Sequence, residues 1–128
     1  MVEKRTVLYG GTIFTGNPQY TIDKGSIVYE NSRIIYVGKD TGYNITAEDV
    51  VYDCKGKFIM PGLIDCHVHY GGTESPYDKD WVLEPDEEQA MVSISQAKKS
   101  LFNGFTTVRD ISNNGIHLRN MINSGIIS

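Results

Sequence analysis

The chain has 128 residues, 40% apolar and 22% charged, with a net charge of −4, which is the balance of an ordinary globular protein with room for modest cores. No Lys/Arg cluster is present to neutralise a phosphate backbone, which argues against a nucleic-acid partner. No apolar run approaches the roughly 18–20 residues that cross a bilayer, and Met1–Thr6 lacks the apolar core of a signal peptide, so a cytoplasmic protein without a membrane partner is expected.

Residues up to Met60 read as β structure. Val7-Leu8-Tyr9 and Thr12-Ile13-Phe14-Thr15 are short strands broken by Gly10-Gly11, and Gly16-Asn17-Pro18 is turn chemistry. Ser26–Glu30 and Arg33–Val37 form a hairpin across Asn31-Ser32, because their flanks are β-branched and aromatic and Asn tolerates positive φ. Gly38 to Asp49 is polar and irregular. Val50–Cys54 and Lys57–Met60 are two further strands around the turn Lys55-Gly56.

At Pro61-Gly62 the pattern changes. Leu63 to His69 reads as a strand and Gly71 to Pro85 as a polar loop. Asp86 is placed to cap a helix, with Gln89 as its capping-box partner. Asp86-Glu87-Glu88 favours the same helix start through the dipole, and Lys98-Lys99 suits its other end. Ala90, Ile94, Ala97 and Leu101 fall at i, i+4, i+7 and i+11, one stripe of an amphipathic helix that stops at Asn103-Gly104. Phe105–Asp110 is a second strand. Ile116, Leu118, Met121 and Ile122 mark a shorter helix closed by Asn123-Ser124-Gly125. Strand–helix–strand–helix is the grammar of parallel α/β architecture. The expected division is therefore a β module over residues 1–60 and a β/α segment over residues 61–128.

The chemistry concentrates in Pro61-Gly62-Leu63-Ile64-Asp65-Cys66-His67-Val68-His69. Alternate residues of a strand share a face, so His67 and His69 point the same way with Cα atoms roughly 6–7 Å apart. Two imidazoles so placed can converge on one metal ion. Buried in an apolar strand, they are costly without such a partner. Asp65 lies on the same face, where it either supports a histidine or bonds nearby backbone. Cys66 points the other way and reads as a small packing residue, and Cys54 and Cys66 are expected to be free thiols.

Met60-Pro61-Gly62-Leu63-Ile64-Asp65-Cys66-His67-Val68-His69, followed by a helix and Gly104-Phe105-Thr106-Thr107-Val108-Arg109-Asp110, resembles the amidohydrolase superfamily, and within it the imidazolonepropionase and Xaa-Pro dipeptidase-like branch. The resemblance covers nearly the whole chain but only the N-terminal third of a typical member. It implies a small β-sandwich segment followed by the first two β/α units of a truncated (β/α)8 barrel. It implies too that His67 and His69 bind a divalent metal, zinc foremost, at the C-terminal end of the first barrel strand. The metal would activate a water for attack on a C–N bond of a small-molecule substrate: a small amide, cyclic amide or dipeptide. The remaining ligands and the catalytic aspartate of the family come from later strands, so no catalytic residue is assigned in this chain.

Arg109 and Asp110 end the second strand at the same rim. Substrate contact, a structural ion pair and a loop anchor are all open to them. Tyr70, Gly71 and Gly72 follow the histidines either as a loop passing close to a ligand or as a plain turn. Tyr77 and Trp81 cover a pocket or simply pack, and His117 is structural or solvent-facing. A catalytic zinc generally takes three protein ligands plus water, and a full barrel takes about 250 residues. The alternative reading is thus an inactive fragment or assembly module, working as a homo-oligomer or with a C-terminal partner that completes the barrel.

Overall fold

The computed structural model describes residues 4–72, 77–83 and 85–127. They fall into two compact units, Met1–Pro61 and Gly62–Ser128.

The first unit is one five-stranded sheet built from β1 (Thr6–Phe14), β2 (Thr21–Glu30), β3 (Arg33–Lys39), β4 (Val50–Asp53) and β5 (Phe58–Ile59). The order is β3-β2-β1-β4, with β5 also on β1. Among the described residues the expected sandwich segment is this single sheet. Period-two alternation turns Val7, Ile13 and Val28 to one side, where each is at most 2% exposed. The hairpin forms where expected: Asn31 and Ser32 both take left-handed φ, 49° and 62°, the geometry that matches strand twist in a two-residue connection.

One expectation for this unit is corrected. Gly10-Gly11 does not break the first strand; it is a register shift inside one continuous β1, because a bulge lets a strand absorb flexible residues without ending. β4 and β5 run in line, both parallel to β1, with Thr6 opposite Val50 and Ile13 opposite Ile59. Lys55-Gly56 interrupts this line at the level of the β1 bulge. There a Cβ on Gly10 would meet Lys55 Cγ at 2.9 Å, and Lys55 Nζ lies 5.4 Å from the Tyr9 ring centre.

A polar clasp closes the irregular segment before β4. Arg5 Nε donates to Asp49 Oδ1 at 3.0 Å, and the Thr46 backbone N–H donates to Asp49 Oδ2 at 2.8 Å. The Thr46 amide holds the Asp49 carboxyl below the usual carboxylate range, and Arg5 adds to this. Asp49 in turn raises the Arg5 guanidinium.

The second unit contains β6 (Leu63–Val68), α1 (Asp78–Leu83), α2 (Asp86–Phe102), β7 (Phe105–Asp110) and α3 (Gly115–Asn123). β6 and β7 pair in parallel, Leu63 opposite Phe105 and Val68 opposite Asp110. The short α1 lies inside the stretch expected to be loop. α2 starts one position earlier than expected: Pro85, not Asp86, is the N-cap, with no side-chain cap bond. The Pro85 carbonyl instead accepts from Glu88 N at 3.0 Å and Gln89 N at 3.1 Å. Proline suits this place because its fixed φ is already near-helical and it has no N–H to lose.

The inner face of α2 is broader than the expected stripe. Ile94 and Ala97 are half-buried as expected and Ala90 and Leu101 are exposed, while a polar row joins the inner face: Gln89, Ser93, Gln96 and Ser100 are partly or fully buried. These four fall at i, i+4, i+7 and i+11, the spacing of the apolar stripe moved back by one residue. The most buried of them, Ser93, bonds the Ala90 carbonyl at 2.7 Å. In α3, Leu118 is buried, while Ile116, Met121 and Ile122 are exposed. Both helices stop where their Asn and Gly residues predict, with Gly104 and Gly125 at φ of 92° and 74°.

Candidate functional site

His67 lies within β6, and His69 lies one residue past its end. Their Nε2 atoms approach to 3.0 Å, and the ring centres are 5.1 Å apart with planes tilted by 34°. Between two neutral imidazoles such a contact needs one Nε2 to donate and the other to accept. A cation would instead take both lone pairs. Two metal–imidazole bonds of about 2.0–2.1 Å put their nitrogens about 2.9 Å apart at a right angle and about 3.3 Å apart at the tetrahedral angle. The observed spacing lies between, so the pair fits as two ligands of one divalent ion. Among the described residues no group of three or more His, Cys, Asp or Glu converges on one point, so the donor set is two.

Contrary to the expectation of buried imidazoles, both histidines are exposed. Neither needs a partner to offset burial, and the convergence of their rings carries the metal argument. Cys66 is exposed as well, on the face that strand alternation turns away from the histidines. Asp65 Oδ1 accepts from the His67 backbone N–H at 3.0 Å. This is the backbone alternative, and it braces the strand beneath the first imidazole.

Asp110 sits level with Val68 across the ladder. Its Oδ1 accepts from Ser112 N at 2.8 Å and from Tyr70 N at 3.4 Å, which ties the segments leaving the two strands to one carboxylate. Asp110 Oδ2 and Ser112 Oγ are buried without a partner among the described residues. Arg109 is exposed and borders an apolar groove of about 680 Å³ with Leu101, Val108 and Ile116. It joins no ion pair among the described residues. Of the remaining candidates, Tyr77 and His117 are exposed, and the side chain of Trp81 lies outside the described residues.

Tyr70, Gly71 and Gly72 are buried. Gly71 has a φ of 89°, and a Cβ there would strike the Asn114 amide and come within 2.8 Å of the Gln89 carbonyl oxygen. The loop therefore needs glycine for both conformation and space. Gln96 reaches this loop from α2: its Oε1 accepts from Gly71 N at 2.8 Å, and its Nε2 donates to the Gly72 carbonyl at 3.1 Å. Beside His69 a polar recess of about 470 Å³ opens, lined by Gly71, Asp86, Gln89, Ser112 and Asn114 among others. Gln96, Ser112 and Asn114 were not singled out from the sequence. For Gln96 the available signal was the polar stripe at helical spacing.

Residues 58–125 match the amidohydrolase family. The chain is 38% identical over 72 residues to an imidazolonepropionase of Colwellia psychrerythraea, covering 50% of this chain and 17% of that protein. It is 32% identical over 93 residues to a dihydroorotase of a Wolbachia species, covering 72% and 18%. A solved Xaa-Pro dipeptidase with methionine in its active site superposes with a TM-score of 0.79 at 29% identity, covering 97% of this chain and 31% of that one. The chain thus spans less than a third of the length of the relatives it matches. The fold of the second unit, the residues around its histidine pair and these likenesses agree: the chain belongs to the amidohydrolase family.

Proposed function

We propose that the chain is the N-terminal part of a metal-dependent amidohydrolase, in which His67 and His69 hold one divalent ion, zinc foremost. The proposed reaction is hydrolysis of a C–N bond in a small amide, cyclic amide or dipeptide. The observation that supports it most is the 3.0 Å approach of the two Nε2 atoms at the end of β6. When bound, a divalent ion at this position supplies Lewis acidity and a source of hydroxide at neutral pH. His67 and His69 contribute lone pairs and need their ring protons on Nδ1. Asp65 holds the His67 backbone, and the recess beside His69 offers amide and hydroxyl groups to a polar substrate.

Zinc titration by calorimetry tests this reading. Stoichiometric binding lost in both His67→Ala and His69→Ala is expected, and unchanged binding in either variant sinks it. Because catalytic zinc generally takes three protein ligands, turnover of a dipeptide and lactam panel by the chain alone is expected to be absent.

One observation supports the second reading, a chain that works only in assembly. The groove bordered by Leu101, Val108 and Ile116 is apolar and open, as the flank of an incomplete barrel would be. Sedimentation showing a compact monomer would weigh against it.

A further inference from the structure

We propose that Gln96 is a positioning residue that sets the orientation of the His69 imidazole by clamping the two glycines behind it. The proposal rests on the reading of His67 and His69 as a ligand pair, and assigns a role to a helix residue outside that pair.

The two histidines are anchored differently. His67 belongs to β6 and is held there by the strand and by Asp65. His69 lies past the last strand residue, Val68, so its backbone depends on what holds the segment after it. Ahead of it, the Val68 carbonyl accepts from Ile111 N at 3.1 Å. Behind it, the Tyr70 amide has a long 3.4 Å bond to Asp110. Among the described residues, Gly71 N donates to Gln96 Oε1 at 2.8 Å on that side, and the same side chain bonds the Gly72 carbonyl.

A primary amide suits this task. It offers an acceptor and a donor about 2.3 Å apart in one plane, matching an N–H and a carbonyl of adjacent residues. Glutamate supplies only the acceptor and leucine neither. Glycine at 71 makes the close approach possible, but glycine alone leaves the backbone free. The clamp removes that freedom from a loop that begins one residue after a ligand. Gln96 also lines, with Val68, His69 and Tyr70, a small recess of about 400 Å³.

The test compares Gln96→Leu, of similar size, with Gln96→Glu, which keeps one of the two bonds. Three readouts apply: hydrogen exchange at the Gly71 amide, NMR relaxation of the His69 ring, and zinc affinity. In Gln96→Leu, Gly71 exchange should accelerate by about 10-fold or more, the His69 ring should gain mobility while His67 does not, and zinc affinity should fall by about 10- to 100-fold. Gln96→Glu should keep Gly71 protected and lie between parent and leucine variant in the other two. Wild-type exchange and ring relaxation in Gln96→Leu would overturn the proposal. Parent protein that binds no zinc would overturn the ligand reading instead, with the clamp still decided by the two metal-free readouts. Equal loosening of both histidines would show a general structural role and also overturn it.

Discussion

The two units are held by different means. In the sheet unit, Val7, Ile13 and Val28 are essentially sealed from solvent, and one ion pair closes the segment before β4. Among the described residues of the β/α unit the buried large side chains are Tyr70 and Leu118, and side chains bonded to backbone fix the loops at the strand ends. Burial of apolar area is non-directional and tolerates small displacement, whereas a hydrogen bond fails with a few tenths of an ångström or a modest turn. The unit that carries the histidine pair is thus the one whose order is directional. That is the property a ligand set needs.

This contrast can be broken by substitution. Ile13→Ala should cost about 2–5 kcal/mol, the usual price of emptying a sealed core position, and urea unfolding monitored by sheet signals reads it. A cost below 1 kcal/mol would show that the sheet is not organised by that core. Asp110→Ala leaves the Ser112 and Tyr70 amides without their acceptor and should cost about 1–3 kcal/mol. Its effect should appear as faster exchange at those amides with β1–β2 exchange unchanged, and a uniform acceleration across both units would erase the distinction.

The smallest effect concerns the Arg5–Asp49 ion pair of the sheet unit. Asp49 has a lowered pKa in the folded chain, so its contribution is fully present above the unfolded value, near 4, and is lost as pH falls through the folded one. The stability gap between parent and Asp49→Asn should therefore be full at neutral pH and close in acid. A gap that widens in acid would reverse the assignment.

The sequence made much of this legible, for identifiable reasons. Asn31-Ser32 announces its turn because the local φ requirement is written in the residue type. The histidine pair is legible because strand alternation alone puts both rings on one face. The polar row of α2 is not, since Ala90, Ile94, Ala97 and Leu101 satisfy the helical period as well as Gln89, Ser93, Gln96 and Ser100 do, and both rows contribute to the inner face. Which polar residue turns inward depends on what lies opposite, and what lies opposite Gln96 is backbone. A search for apolar periodicity passes over polar residues that share an inner face. Gly10-Gly11 misleads for a related reason: whether two glycines end a strand or bulge it is decided by the neighbouring strand, here β2, which pairs with β1 on both sides of them.

The pairing of β1 has a consequence for the order in which the molecule is made. Among the described residues, every pairing partner of β1 lies at or before Ile59. The β6–β7 pair is not complete until Asp110. At about 5–20 residues per second of synthesis, several seconds separate the two. All five described strands of the sheet are therefore synthesised before β7, the strand that pairs with the histidine-bearing β6.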